Sequence, residues 1–425
     1  MTILGRLVAS IENVTNGNIL IPHPTAVGNC AEQIYYGLLK ARREGRRLLI
    51  GIQYPLPYPL RIRLTNRALL AVASDYRRAP ANGRGHVLFN VAITFYGGLA
   101  RLCNHLLLRL SGKRVSDIDF YPMIGHTTLW QPDEKTTDFS WRTVESYNWT
   151  EQIQQPLPVY LPPALKTAAA DMRSRLGLPD DAWFACLHVR ESGFHNDPES
   201  AERNASIANY VGVISAITGR GGWIVRMGDP SMTRLSPMPN VIDYPFRPEK
   251  SDLMDIYLIS KCAVYIGMQS GIFDVAMLFQ RPIILTNMVS WLYPYPQRPR
   301  DLGICKHVHS HSKGRRLSVR EWMLESLDAQ SFVGRINDDY RFEENSTDEL
   351  TDLVEEFLEP ERAEPTAAQR ELAELRLAQG KRILDDRIIR DDDFSDIHQR
   401  YRLASRLESA RGRIGRSFLE RQWID

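Results

Sequence analysis

Three short polar segments carry the residues whose types and spacing could do chemistry. The run WFACLHVR ends in His188-Val189-Arg190 and opens into Glu191-Ser192-Gly193-Phe194-His195-Asn196-Asp197. On a strand, alternation sends His188 and Arg190 to one side, with the planar guanidinium at the strand end where it can fork onto phosphate oxygens. The second segment, Gly221 to Pro230, delivers Arg226, Gly228 and Asp229 to another strand end. Its glycine would allow close approach of a ligand, and its carboxylate would accept from a base or sugar donor. The third, Tyr265 to Asp274, predicts a strand, a small polar turn and a helix start. Helix N–H groups, the Ser270 hydroxyl and the absent Cβ of Gly271 suit a diphosphate there. Each segment has a blander reading: an arginine pairing a neighbouring carboxylate, a Gly-Asp-Pro turn, an ordinary serine N-cap. The chemical reading rests on all three arriving at one edge.

The elements that must position these turns alternate regularly. Apolar runs predict strands at Trp183–Val189, Gly222–Met227, Asn240–Asp243, Ala263–Gly267 and Pro282–Thr286. Helices fall at about Ala205–Thr218, Asp252–Lys261 and Ile272–Phe279, which together make a Rossmann-like parallel sheet. Upstream, Ile19–Ile21, a helix from about Cys30 to Arg43 and Leu48–Gln53 read as a strand-helix-strand unit. Further apolar runs lie at Val87–Phe95 and Ile118–Tyr121, and Leu99–Leu110 reads as a helix. Pro156, Pro158, Pro162 and Pro163 mark a linker between Gln155 and Lys166. The expected divisions are therefore 1–155, 166–330 and a helical extension over 331–425. In that extension Ser346-x-x-Glu349 is a capping box, and Thr366–Arg390 is a helix broken or weakened at Gly380.

The stretch Asp252–Phe279, with Asp255 and the Gly267-Met268-Gln269-Ser270-Gly271 turn, resembles the donor-domain end of fucosyltransferase-like GT-B glycosyltransferases, as does the HxR strand end matched by His188 and Arg190. From His188 to Asn287, including Asn209-Tyr210, Arg226-Met227-Gly228-Asp229 and Asp243-Tyr244, the chain more closely resembles a family of bacterial glycosyltransferases of the surface-polysaccharide type. HVRES lacks the second arginine and the acidic residue of HxRRxD, a departure that bears on the donor sugar more than on the fold. The resemblance implies an α/β, GT-B-like protein of two Rossmann-like domains with a cleft between them and a helical C-terminal tail. It further implies a nucleotide-sugar donor, GDP-linked by preference, held by His188, Arg190, Arg226, Gly228, Asp229, Asp243, Asp255, Gln269, Ser270 and Gly271.

The expected activity is metal-independent transfer of a sugar to a glycan, lipid-linked or small-molecule hydroxyl, with no resident cofactor. Arg190 would stabilise the departing diphosphate, and Glu191, His195 or His23 would deprotonate the acceptor. The alternatives are a catalytically silent nucleotide- or glycan-binding module and a sugar-nucleotide epimerase on the same fold.

Composition sets outer bounds. The 425 residues are 43% hydrophobic and 24% charged, with a net charge of +2, which offers no chain-wide footprint for nucleic acid. Five cysteines at 30, 103, 186, 262 and 305 form no CxxC pair, and Arg6 and Glu12 interrupt the opening apolar residues. A cytoplasmic protein is expected, with peripheral contact at the inner membrane face through Lys40, Arg42, Arg43, Arg46 and Arg47. His307, His309 and His311 alternate as metal ligands would, but their run reads as a polar loop; Asp117-Ile118-Asp119 and Asp391–Asp393 are weaker candidates still.

Overall fold

The computed structural model describes residues 17–20, 22, 27–43, 45–51, 66–77, 87–88, 90–91, 94–95, 156–193, 198–289, 296–329, 338–361, 363–384 and 410–423. Two units emerge: Met1–Tyr147 with Gln155–Pro162, and Asn148–Gln154 with Pro163–Asp425.

In the first unit, β1 (Gly17–Leu20) and β2 (Arg47–Ile50) pair in parallel around α1 (Val27–Arg43). Leu20, Ile34, Leu38, Leu39 and Leu48 are fully buried. A Cβ at Gly37 would meet Leu48 at 3.0 Å and Leu20 at 3.3 Å, so this glycine lets α1 lie close on both strands. The short α2 (Arg67–Leu70) begins at Asn66, whose side chain accepts from Leu69 N at 2.9 Å. Ala73 and Tyr160 exchange backbone hydrogen bonds of 2.7 and 3.0 Å, so the proline-bearing stretch expected as a linker is itself tied into this unit.

The second unit opens with α3 (Pro163–Leu176), which starts on proline where the missing N–H would have no partner anyway. Its strands are β3 (Phe184–His188), β4 (Trp223–Arg226), β5 (Val241–Asp243), β6 (Val264–Gly267), β7 (Ile283–Met288), β8 (Leu302–Cys305), β9 (His307–Ser310), β10 (Arg315–Arg316), β11 (Tyr340–Glu343) and β12 (Arg413–Ile414). Its further helices are α4 (Val211–Thr218), α5 (Asp252–Lys261), α6 (Gly271–Leu278), α7 (Val319–Ala329), α8 (Thr347–Leu358), α9 (Ala367–Leu384) and α10 (Arg416–Gln422). Seven strands form one sheet in the order β12-β8-β7-β6-β3-β4-β5, with every neighbouring pair parallel. The protein is thus α/β. Strands β3, β6, β7 and β8 are buried along their whole length, which is why they read as continuous apolar runs instead of alternating ones.

Several details differ from expectation. The histidine run is an ordered strand: β9 pairs with β10 and β11 in a separate antiparallel sheet, and His307 lies buried 3.0 Å from Glu349. α9 continues through Gly380, with neighbouring Gln379 donating to Met323 O at 2.8 Å; tertiary contact overrides the roughly 1 kcal/mol cost of an interior glycine. The expected capping box forms, with Ser346 and Glu349 bonding each other's backbone at the start of α8.

Residues 331–425, expected as a helical extension, also supply strands. β12 lies parallel to β8 at the sheet edge, and α10 packs on α8 and α9. Ile414, Phe418, Leu419 and Trp423 are buried there. At about 2 kcal/mol per apolar side chain, their burial amounts to roughly 8 kcal/mol, comparable to a whole domain's net stability. A chain ending at residue 409 should therefore lose its cooperative thermal transition in circular dichroism. A melting curve like that of the full chain would show that β12 and α10 are dispensable.

Candidate functional site

The order of the parallel sheet singles out one place. From β3 the chain steps outward through β4 to β5, then returns to the other side of β3 for β6, β7 and β8. The connections at the carboxyl ends of β3 and β6 consequently leave in opposite directions, opening the crevice where α/β sheets receive ligands. His188, the last residue of β3, is in register with Gly267, the last of β6. Arg190 follows two residues on; it and His188 are both 8% exposed.

Ser270 is the N-cap residue of α6, but its hydroxyl makes no cap bond and instead lies 3.3 Å from His188 Nδ1. In the first turn of α6, Phe273 N donates to the Ser270 carbonyl at 3.0 Å; helix starts of this kind can present their remaining amides to an anion. A Cβ at Gly267 would meet the Tyr265 hydroxyl at 2.7 Å and the His188 carbonyl at 2.9 Å, so no side chain fits between the two strand ends. Gln269 is buried, and its Oε1 has no protein partner among the described residues. A buried acceptor in that state calls for a donor from water or ligand.

Burial holds the His188 imidazole down to about pKa 4, reinforced by Arg190, Arg226 and Lys250 and opposed by Asp229. It is therefore neutral at physiological pH. The same set of charges marks which groups lie near it, and Lys250 is the one the sequence reading passed over. Its Nζ contacts both oxygens of Asp255 at 2.6 and 2.7 Å. Burial pushes the Asp255 carboxyl up, while Lys250 pulls it back.

Arg226 departs from its expected role. Its side chain is fully buried, and the guanidinium donates to Glu191 Oε2 at 2.9 Å, to Asp243 Oδ1 at 3.1 Å and to the Thr233 carbonyl. Glu191 also accepts from Thr233 N at 2.8 Å, and Asp243 from Leu235 N at 2.9 Å. Three residues expected to face substrate thus bind one another and the loop after β4. The free approach expected at Gly228 is likewise taken up internally: its φ is +141°, and a Cβ would overlap Met232 Sδ at 2.1 Å. Asp229 is half-buried and accepts from Ser231 N at 2.9 Å, closing an Asx turn.

The structure accordingly brings His188, Arg190, Gln269, Ser270 and Gly271 to the neighbouring ends of β3 and β6, with Asp229 and Lys250 within electrostatic reach of His188. It commits Glu191, Arg226, Asp243 and Asp255 to ion pairs. His23, His195, Asp117, Asp119 and Asp391–Asp393 lie outside the described residues. Among the described residues no group of three or more His, Cys, Asp or Glu is arranged to hold a metal.

No protein-family model matches the chain, and no curated protein matches it. Among solved structures it is similar to a glycosyl transferase family 9 protein from Veillonella parvula, at 14% identity and a TM-score of 0.37, over 63% of this chain and 79% of that one. It is also similar to the E. coli ADP-heptose LPS heptosyltransferase II, at 14% identity and a TM-score of 0.31, over 63% and 84%. The fucosyltransferase NodZ from Bradyrhizobium aligns at 14% identity and a TM-score of 0.28, over 63% and 94%. Likeness at these levels names no family, donor or reaction for this chain.

The depressed histidine has a measurable consequence. Below pH 6.5 the unfolded chain takes up a proton that folded His188 refuses until about pH 4. Stability present above pH 6.5 should fall as pH drops through that window, by roughly 3 kcal/mol at full extent. Melting temperatures measured across pH 4 to 7 should decline less steeply in His188→Gln than in the native protein; parallel curves would remove His188 as the cause.

Proposed function

We propose that this protein is a glycosyltransferase of GT-B type, with residues 166–330 binding a nucleotide-sugar donor and residues 1–155 admitting the acceptor. One observation supports this most: strand β3, which runs on to Arg190, and strand β6, which leads into α6, end side by side at the switch point of the parallel sheet. A guanidinium and aligned helix N–H groups oppose charge that grows on a departing diphosphate, work done elsewhere by a divalent metal. Neutral His188, bonded to Ser270, orients that helix start without adding charge. A GDP-linked sugar is the first donor to test, on the strength of the HxR resemblance. The acceptor is a glycan, lipid-linked or small-molecule hydroxyl of bacterial polysaccharide synthesis on the cytoplasmic side of the membrane.

A second reading, a nucleotide- or glycan-binding module without turnover, draws on the engagement of Glu191 with Arg226 and Thr233. That carboxylate is already an acceptor twice over, which leaves His23 and His195 as the remaining candidates for the base. Nucleotide sugars that raise the melting temperature without being consumed would favour this module.

Transfer should persist in EDTA, since no step here needs a cation. Loss of turnover restored by manganese would return Asp117 and Asp119 to consideration and end the GT-B assignment. Arg190→Ala should lower kcat by about 100-fold or more, roughly 3 kcal/mol, and by more than His188→Ala does. Arg190→Lys should rescue this only in part, because an ammonium cannot reproduce the fork. Ser270→Ala should chiefly weaken nucleotide binding. Near-normal turnover in folded Arg190→Ala would refute the diphosphate role.

A further inference from the structure

Eight large apolar residues are exposed among the described residues, and four of them, Val87, Leu88, Val91 and Phe95, fall in one nine-residue stretch of the first unit. The other four, Tyr160, Val211, Leu324 and Leu377, are scattered along the chain, as single exposed apolar residues usually are. Residues 87, 88, 90, 91, 94 and 95 are helical, and Thr94 donates to the Asn90 carbonyl one turn back at 2.7 Å. At about 100° per residue, the four apolar positions occupy a single arc about 100° wide. The polarity is inverted relative to an ordinary surface helix: Asn90 and Thr94 are 5% and 6% exposed, whereas Leu88 is 69% and Phe95 70% exposed.

The surrounding sequence indicates what such a face would meet. Residues 78–116 contain six Lys or Arg and no Asp or Glu, in a chain whose 51 acidic residues would place about five in that length. An acid-free basic stretch bearing an outward apolar helix face has the chemistry of a segment lying in the interface of an anionic bilayer. The surface of a partner protein would not require that complete absence of carboxylates. Among the described residues no helix is long and apolar enough to cross a membrane, so the contact would be superficial.

We infer that the Val87/Leu88/Val91/Phe95 face docks on an anionic lipid surface, with the apolar side chains entering the headgroup boundary. This holds whether or not the donor reading does. It also differs in location from the basic end of α1, singled out from sequence alone.

The test is co-sedimentation of the full chain with vesicles of phosphatidylcholine alone and of phosphatidylcholine with phosphatidylglycerol, at low and high salt. Binding should require phosphatidylglycerol, weaken with salt, and fall by roughly tenfold or more in Val91→Glu/Phe95→Glu, with the melting temperature unchanged. Absence of binding to the anionic vesicles, or equal binding to both kinds, would overturn the inference. So would a lowered melting temperature in the variant, which would mean that the face is packed against the chain itself. A native dimer in light scattering that the variant converts to monomer would instead assign the face to a second copy.

Discussion

A guanidinium stripped of its water must recover solvation from protein, and the two terminal nitrogens of Arg226 do so from three chain segments at once. Glu191 follows β3, Asp243 ends β5, and Thr233 belongs to the loop after β4. Burying one charge alone is prohibitive, whereas an arginine shared by two hydrogen-bonded carboxylates is tolerated. The two carboxylates in turn hold the Thr233 and Leu235 amides, so the loop running from Gly228 takes its course from that one ion group. The carboxyl edge of the sheet is built on a polar network that faces inward.

That division of labour separates the carboxyl edge into a scaffold and a presenting set. On the scaffold side, Lys250 pairs with Asp255, and Arg226 is shared by two carboxylates. Beside them at the strand ends lie Arg190, Ser270 and the first turn of α6, with the Ser270 hydroxyl on His188. The serine spends its hydroxyl on the histidine and leaves the cap position of the helix open, contrary to what an N-cap serine ordinarily does. The amide that such a cap would take, Phe273 N, donates instead to the Ser270 carbonyl at 3.0 Å.

Much of the second unit could be read from sequence because buried parallel strands leave a plain trace. FACLH, VYIG and IILTNM are apolar runs stopped by Gly, Pro or polar turns, and Ser251 before Asp252 announces α5 at the observed boundaries. The helix expected from Ala205 instead starts at Val211 after a 3₁₀ turn, Ile207–Tyr210, because the Ser206 side chain caps that turn first. β12 was illegible: Arg413-Ile414 has no periodicity of its own, and its strand conformation comes from pairing with Leu302 and Gly303. The ion network was illegible for a related reason. Sequence shows that Glu191, Arg226 and Asp243 end or follow strands, but not whether they turn toward a ligand or toward each other. Lys250, in a Pro-Glu-Lys-Ser turn, looked like any solvated loop charge.

β12 also orders events during synthesis. The LGIC strand β8 is buried on both faces, yet among the described residues its outer edge finds its hydrogen-bonding partner only in Arg413-Ile414. While the ribosome is still translating α7 to α9, an apolar strand edge stands open, and open edges of this kind recruit other strands. The sheet can be sealed only after almost the whole polypeptide has emerged. That edge of the sheet is therefore the last to close, long after the β3–β6 pair can form.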